Sequence, residues 1–100
     1  MIETIKRDPK LICIDYDDTF TAAPDLFKYF IIKAKELGYK VIGCTMRRES
    51  EIDEGVQQLQ DLVDKLYFTN RKAKKSYLSA LRIYPQIWID DMPEWIFTDA

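Results

Sequence analysis

The sequence contains no histidine among its 100 residues. This absence excludes a serine–histidine–aspartate triad, a zinc site with histidine ligands and an imidazole general base. Any chemistry must therefore use carboxylates, lysine, hydroxyls or thiols. The only two cysteines, Cys13 and Cys44, form no CxxC motif and lie inside apolar segments. We expect them to be free thiols rather than a disulfide.

Long apolar runs are also missing. No run approaches the roughly 18 residues that a membrane helix needs, and the N-terminal segment MIETIKRDPK lacks the apolar stretch of a signal peptide. We therefore expect a cytoplasmic protein without a membrane partner. The net charge of -2 predicts no general affinity for nucleic acid. The length and the hydrophobic fraction of 47% are typical of one globular domain spanning residues 1–100.

Short apolar segments alternate with amphipathic ones along the chain. The apolar segments 11–14, 40–44, 66–68 and 87–89 predict strands. Helices are predicted from Pro24 to Gly38, over 52–63 and 74–83, and as a final turn over 93–97. Their expected buried faces contain Leu26, Phe27, Phe30, Ile31 and Ala34 in the first helix, and Tyr77, Leu78 and Leu81 in the third. The alternation predicts an α/β, three-layer, Rossmann-like fold with about four parallel strands and helices on both faces.

Each predicted strand is followed by, or ends on, a polar residue. In an open parallel sheet the functional site forms outside the carboxyl ends of the strands. We therefore expect the residues that follow these ends to lie along one edge. They are Asp15, Asp17, Thr45, Asp90 and Asp91. Four carboxylates so close together repel each other unless a hard cation such as Mg²⁺ is present, although such residues also serve as turn formers and helix caps.

Cations are concentrated on the same side of the predicted sheet. Arg47 and Arg48 follow the second strand, and Arg71, Lys72, Lys74 and Lys75 follow the third. Such a cluster suits an anionic substrate such as a phosphate ester, while a run of lysines can also be a solvated helix face.

Four motifs in this order make the chain resemble the haloacid dehalogenase-like (HAD) superfamily, whose members are mostly phosphatases. The segment from Asp15 to Thr19 (DYDDT) resembles its first motif, DxDx(T/V), and Thr45 resembles the strand-end Ser/Thr of the second. A lysine within residues 71–75 resembles the third motif, and the pair at 90–91 resembles the double aspartate of the fourth. The resemblance extends from residue 11 to about residue 95.

The resemblance implies a role for each matching residue. Asp15 would attack the substrate phosphorus, and Asp17 would act as general acid and then as general base, with Thr19 orienting it. Thr45 would bind the phosphoryl oxygens. Asp15, the backbone carbonyl of Asp17, and Asp91 would hold Mg²⁺, while Asp90 would support the lysine or a metal-bound water.

The lysine of the third motif has two candidates. Lys74 precedes Leu78 by four residues and therefore shares its buried helix face, whereas Lys72 aligns with Ser76 and Ser79 on a more exposed face. We favour Lys74, and both remain candidates at this stage. Arg47 belongs to the expected cationic rim.

The chain also departs from the superfamily. Only residues 20–24 separate the first motif from the first helix, so no cap domain fits there, and the fifth strand usual in this superfamily is missing. The resemblance thus predicts a minimal, capless HAD-like domain that acts as a Mg²⁺-dependent phosphatase. Its phosphorylated substrate could be large or nucleotide-like, and a homo-oligomer is compatible with the open site.

Two other functions compete with the phosphatase. One is a binding or regulatory module that keeps the metal site without efficient turnover. The other is a receiver-like phospho-acceptor domain, in which the acceptor aspartate ends the third strand. Here the third strand ends at Thr69 instead, which disfavours the receiver.

Overall fold

The computed structural model describes residues 6–100, so the first five residues of the expected domain lie outside the described part of the chain. Four strands alternate with four helices, and an additional turn follows the first strand. The strands are β1 (Asp8–Ile14), β2 (Lys40–Thr45), β3 (Lys65–Phe68) and β4 (Pro85–Ile89). The helices are α1 (Pro24–Glu36), α2 (Glu54–Leu62), α3 (Lys74–Ala80) and α4 (Glu94–Phe97).

The four strands form one parallel sheet in the order β3-β2-β1-β4. The chain adds β2 and β3 on one side of β1 and then crosses to place β4 on the other side. Ile14 at the end of β1 pairs with Ile89 at the end of β4. This change of direction leaves a crevice at the carboxyl ends of β1 and β4. The predicted α/β fold with a four-stranded parallel sheet is confirmed.

Each face of the sheet has its own hydrophobic core, because side chains alternate along a strand. Ile12 and Ile14 face α1 and α2, where Ile31 and Leu59 are fully buried. On the opposite face, side chains of β1 and β2 pack against Leu78 of α3. The fold therefore has three layers. Cys13 and Cys44 are buried in the second core as free thiols, as expected.

The third helix is shorter than predicted. It ends at Ala80 rather than at residue 83, because the chain turns into the left-handed region at Arg82 (φ 60°) and the Ile83 N–H bonds the Leu78 carbonyl at 2.9 Å. This arrangement is a Schellman-type helix end. Ile83 therefore packs beside Leu78, while Leu81 is 51% exposed instead of buried.

Two other predicted helix features also differ. The second helix begins at Glu54, because the Asp53 side chain accepts a hydrogen bond from the Val56 N–H at 2.8 Å and so caps the helix. Ile52, the expected first residue, lies before the helix and is exposed. Leu26 in the first turn of α1 is 65% exposed rather than part of the core. Within residues 6–100, no helix is both long and apolar enough to cross a membrane.

Candidate active site

A cleft of about 280 Å³ opens at the carboxyl ends of β1 and β4. The switch in strand order places the ends of these two strands side by side, and the Asp15 N–H donates to the Ile89 carbonyl at 2.9 Å. Asp15 and Asp90 are consequently neighbours although 75 residues separate them in sequence. The charged side chains that line the cleft are Asp15, Asp17, Asp18, Asp90, Asp91, Arg71 and Lys74. Its remaining lining residues are Met46, Met92, Trp95 and Ala100.

Lys74 connects the two strand ends from beneath the cleft. It is the first residue of α3 and only 3% exposed, since Leu78 one turn later fixes this helix on the sheet. Its Nζ lies 2.7 Å from Asp15 Oδ1 and 2.5 Å from Asp90 Oδ2. Burial opposes the charged form of Lys74, but the attraction and hydrogen bonds of the two carboxylates outweigh it, so the pKa of Lys74 is raised.

Asp15 is 7% exposed, and this burial governs its ionisation. Burial raises the pKa of Asp15 from 3.8 to about 7; Lys74 opposes the rise, whereas Asp90 adds to it. Without a further cation, a substantial fraction of Asp15 is therefore protonated at neutral pH. A cation bound beside it would favour the ionised, nucleophilic form.

The turn Tyr16–Phe20 brings Thr19 back over Asp15. The Phe20 N–H reaches the Asp15 carbonyl across five residues, and Asp18 takes a left-handed conformation with φ 58°. Thr19 Oγ1 lies 3.1 Å from Asp15 Oδ2 and 3.1 Å from Asp91 Oδ1, and it accepts the Asp91 N–H at 3.0 Å. Thr19 therefore orients Asp15 and Asp91, whereas the resemblance assigned it to Asp17.

Three carboxylates form a group that could hold a metal ion. One oxygen each from Asp15, Asp90 and Asp91 lie within 4.8 Å of one another. In an octahedral Mg²⁺ site neighbouring oxygens lie about 3.0 Å apart and opposite ones about 4.2 Å apart, so the group would have to contract by about 1–2 Å to reach ligand distances. The donors are hard oxygens, which suit Mg²⁺, Mn²⁺ or Ca²⁺. The residue types and their spacing therefore fit a divalent cation.

Asp17 forms a two-point ion pair with Arg47. Asp17 Oδ1 accepts from Arg47 Nη2 at 2.8 Å, and Asp17 Oδ2 accepts from Arg47 Nε at 3.1 Å. Arg47 Nη1 also donates to the Glu51 carbonyl at 3.0 Å and to Asp53 Oδ2 at 3.2 Å. Four of the five guanidinium N–H groups are thus engaged, and this network fixes the side chain of Asp17.

Tyr16 and Gly55 support this network from below. The Tyr16 hydroxyl donates to Asp53 Oδ1 at 3.0 Å, and the Arg47 guanidinium lies 5.0 Å from the centre of the Tyr16 ring. A Cβ atom at Gly55 would overlap the Tyr16 hydroxyl. Glycine at this position therefore allows the tyrosine to reach Asp53.

The structure brings most of the predicted site residues together. Asp15, Asp17, Lys74, Asp90 and Asp91 all line the cleft. Of the two candidate lysines, it is Lys74 that reaches the carboxylates. Lys72 is exposed, and its carbonyl accepts the Thr69 hydroxyl at 2.7 Å in the turn before α3.

Thr45 and Arg47 lie elsewhere than expected. Thr45 is fully buried, its hydroxyl accepts the Arg47 N–H at 3.3 Å, and neither residue lines the cleft. Thr45 closes the end of β2 because the chain turns directly after it. Arg47 faces Asp17 instead of the open rim, because four N–H groups of its guanidinium donate to Asp17, Glu51 and Asp53.

The sequence pattern did not predict that Asp17 pairs with Arg47, or that Asp53 and Tyr16 support this pair. Nothing in the local pattern pairs Arg47 with Asp53 or Tyr16 with Asp53, because these contacts depend on how the loop after β2 folds over the first turn. Glu51 was also missed, and it pairs with the cleft residue Arg71 at 3.0 Å. The only available signal was the high density of charges between residues 47 and 54.

Comparisons of the chain with protein-family models, with curated proteins and with solved structures gave no match. The description of the protein therefore rests on its fold and on the geometry of its cleft. It is an α/β domain with a parallel four-stranded sheet whose switch point carries a buried aspartate–lysine–aspartate group and a third carboxylate.

Proposed function

We propose that the protein is a Mg²⁺-dependent phosphohydrolase of the haloacid dehalogenase-like type, acting on a phosphate ester through an aspartyl-phosphate intermediate. One observation carries this proposal. A buried carboxylate, Asp15, contacts a buried lysine and lies beside two further carboxylates, and all of them are at the edge of one cleft. Three strand-end segments, after β1, β3 and β4, supply these groups in the order of the superfamily's first, third and fourth motifs.

The first step would transfer the phosphoryl group to the protein. An oxygen of Asp15 attacks the phosphorus, the bond between phosphorus and the ester oxygen breaks, and Asp17 gives its proton to the leaving alcohol or phenol. Lys74 and Thr19 hold Asp15 in position through its two oxygens. Lys74 also compensates the negative charge that develops on the phosphoryl oxygens.

The second step would return the protein to its starting state. Asp17, now ionised, takes a proton from a water molecule, whose oxygen attacks the phosphorus of the acyl phosphate. The bond between phosphorus and Asp15 breaks, and inorganic phosphate leaves. Each proton that Asp17 gives in the first step is recovered in the second, so the cycle is balanced.

The charges of the cleft require a further cation. Five carboxylates and two cations line it, so a phosphate dianion would be repelled. Asp15, Asp90 and Asp91 would hold a divalent cation, which supplies positive charge for both the carboxylates and a phosphoryl oxygen. The identity of the ion as Mg²⁺ rests on the resemblance and on the preference of Mg²⁺ for few carboxylates plus substrate phosphate.

The test is hydrolysis of p-nitrophenyl phosphate by the wild-type protein and by Asp15→Asn, each with Mg²⁺, with Mn²⁺, with Ca²⁺ and with EDTA. We expect turnover with Mg²⁺, loss in EDTA, and a decrease of at least about 10³-fold in Asp15→Asn. Asp61→Asn on the exposed surface of α2 is the matched control. Equal rates for Asp15→Asn and the wild type would overturn the proposal.

The ion pair between Asp17 and Arg47 favours a second candidate. A general acid must give a proton to the leaving group, whereas both carboxylate oxygens of Asp17 accept hydrogen bonds from Arg47 in this structure. A protein that keeps this pair closed would be a metal- or phosphate-binding module without efficient turnover. Mg²⁺ binding by calorimetry, combined with no hydrolysis across a panel of phosphate esters, would identify this second function.

A further inference from the structure

The overall charge of -2 conceals a separation of charge along the chain. Residues 49–64, which include α2, contain six carboxylates and no cation. Residues 65–89, which include β3, α3 and β4, contain six cations and no carboxylate. These cations are Lys65, Arg71, Lys72, Lys74, Lys75 and Arg82. The segment that contains α3, on one side of the sheet, is therefore basic.

A second concave surface, the basic groove, lies on this side between α3, α4 and the start of β4. It has a volume of about 180 Å³. Its lining includes three cationic and three aromatic side chains, namely Lys6, Arg7, Lys75, Tyr84, Trp88 and Phe97. The Nζ of Lys6 lies 5.8 Å from the centre of the Tyr84 ring, and the Nζ of Lys75 lies 5.6 Å from that of Phe97. None of the described residues that line it carries a carboxylate.

The cations of the basic groove differ from those of the cleft in their partners. Lys74 and Arg71, which line the cleft, are both engaged with carboxylates. Among residues 6–100, no ion pair includes Lys6, Arg7 or Lys75. Positive charge in the basic groove is thus available to an anionic ligand.

The basic groove adjoins the cleft through shared helices. Lys74 and Lys75 are consecutive residues of α3, and the first lines the cleft while the second lines the basic groove. At α4 the same division occurs, because Trp95 lines the cleft and Phe97 the basic groove. The cleft and the basic groove therefore lie on neighbouring surfaces of the same two helices.

We propose that the basic groove binds single-stranded nucleic acid whose terminal phosphate enters the cleft. Cations placed beside aromatic rings suit this ligand, since the cations attract backbone phosphates and the rings stack on bases. The cleft itself has more carboxylates than cations, so affinity for a polyanion must come from outside it. A local affinity on one face is compatible with the expectation of no general nucleic-acid affinity, which was drawn from the net charge. The terminal-phosphate part rests on the proposed function.

Binding is tested separately from turnover. A fluorescein-labelled oligothymidylate of about ten nucleotides is titrated with wild-type protein in EDTA, and the dissociation constant is followed by anisotropy as the salt is raised from about 50 mM to about 200 mM. We expect Lys75→Gln to weaken binding severalfold and to flatten the logarithmic salt slope by about 0.7, because one phosphate contact is lost. Lys6→Gln should weaken binding and flatten the salt slope by a similar amount. Lys28→Gln, an exposed lysine of α1 on the opposite face, should leave both quantities unchanged.

Two results of this titration would overturn the proposal. One is an absence of saturable binding at about 50 mM salt. The other is an equal loss of affinity in Lys28→Gln and Lys75→Gln, which would indicate nonspecific attraction by the whole surface.

A turnover assay then separates the two proposals. Phosphate release from 3′- and 5′-phosphorylated oligothymidylate is compared with release from thymidine monophosphates and p-nitrophenyl phosphate. We expect a kcat/KM at least about tenfold higher for one of the oligonucleotides than for its mononucleotide, corresponding to about 1.4 kcal/mol of added binding. Equal kcat/KM values for the oligonucleotides and the mononucleotides, with phosphate released from both, would refute nucleic-acid binding in the basic groove but not the proposed phosphatase activity. Oligonucleotide binding that follows the salt prediction, without release of phosphate from any substrate, would refute the phosphatase alone.

Discussion

Replacing Asp15 by asparagine should stabilise the metal-free protein, and it should do so more at high pH than at low pH. In the folded protein burial raises the pKa of Asp15 from 3.8 to about 7. The unfolded chain therefore releases this proton near pH 4, while the folded chain keeps it until about pH 7. Folding is coupled to proton uptake between these values, so stability falls as the pH rises through this window.

The magnitude follows from the two pKa values. At pH 5 the ionisation of Asp15 costs the folded state about 1.5 kcal/mol relative to the unfolded chain, and at pH 8 it costs about 4 kcal/mol. Asparagine is close in shape and its amide oxygen can still accept the hydrogen bond of Lys74, but it does not ionise. The stability difference between Asp15→Asn and wild type should therefore increase by about 2–3 kcal/mol from pH 5 to pH 8.

The measurement is urea unfolding in EDTA at both pH values, with free energies obtained by linear extrapolation. Because the comparison is between variant and wild type at each pH, the contributions of other titrating groups largely cancel. Asp61→Asn on α2 is the control, and its difference from wild type should be the same at both pH values. Mg²⁺ added at pH 8 should raise the stability of the wild type and have a much smaller effect on Asp15→Asn.

The reasoning is refuted if the Asp15→Asn difference stays constant within about 0.5 kcal/mol between the two pH values. It is also refuted if the variant is less stable than wild type at pH 8 in EDTA. Either outcome would mean that Asp15 is not held in a desolvated, electrostatically unfavourable position.

Three further predictions test the supports of the site. Lys74→Met should lower the free energy of unfolding by about 3–5 kcal/mol in urea titrations, because two buried carboxylates lose their cation; Lys72→Met should cost below about 0.5 kcal/mol. Asp17→Asn should decrease hydrolysis of an alkyl phosphate by about 10²–10⁴-fold but that of p-nitrophenyl phosphate far less, because nitrophenolate leaves without a proton. Gly55→Ala should cost about 1–3 kcal/mol through overlap with the Tyr16 hydroxyl, and Tyr16→Phe combined with it should restore part of the loss.

Each of these predictions has a clear contrary result. Similar losses for the two lysine variants would show that burial of the ammonium group does not matter. Equal decreases for both phosphate esters would remove the general-acid role from Asp17. If the losses of unfolding free energy from Gly55→Ala and Tyr16→Phe were additive in the double variant, the tyrosine hydroxyl would not be the group that excludes a larger side chain at position 55.

The order of elements and the residues that follow each strand were determined by the sequence. Apolar segments of three to five residues alternating with amphipathic segments leave few arrangements besides a parallel sheet with helices on its faces. In such a sheet the carboxyl ends of the strands share one edge. The sequence thus predicted that Asp15 and Asp90 lie on one edge of the sheet, whereas their position side by side depends on the strand order, which places β4 next to β1. The preference for Lys74 also followed from its spacing to Leu78 on the buried face of α3.

Only the tertiary structure decided the positions of Thr45 and Arg47. Their side chains are directed by the loop after β2, whose path depends on four hydrogen bonds of one guanidinium to acceptors on three residues, Asp17, Glu51 and Asp53. Such contacts have no periodic signal in the sequence. The same applies to the end of α3, where a left-handed residue at Arg82 places Ile83 rather than Leu81 in the core.

The physical reason for this division is the range of the interactions. Hydrophobic periodicity and strand connectivity act over a whole element. Many residues therefore favour the same secondary structure, and the pattern can be recognised in the sequence. Hydrogen bonds and ion pairs depend on angles and distances of a few tenths of an ångström between residues that are far apart in the chain. The sequence therefore determined which chemical groups this protein brings to one edge of its sheet, and folding alone decided which of them point into the cleft and which restrain their neighbours.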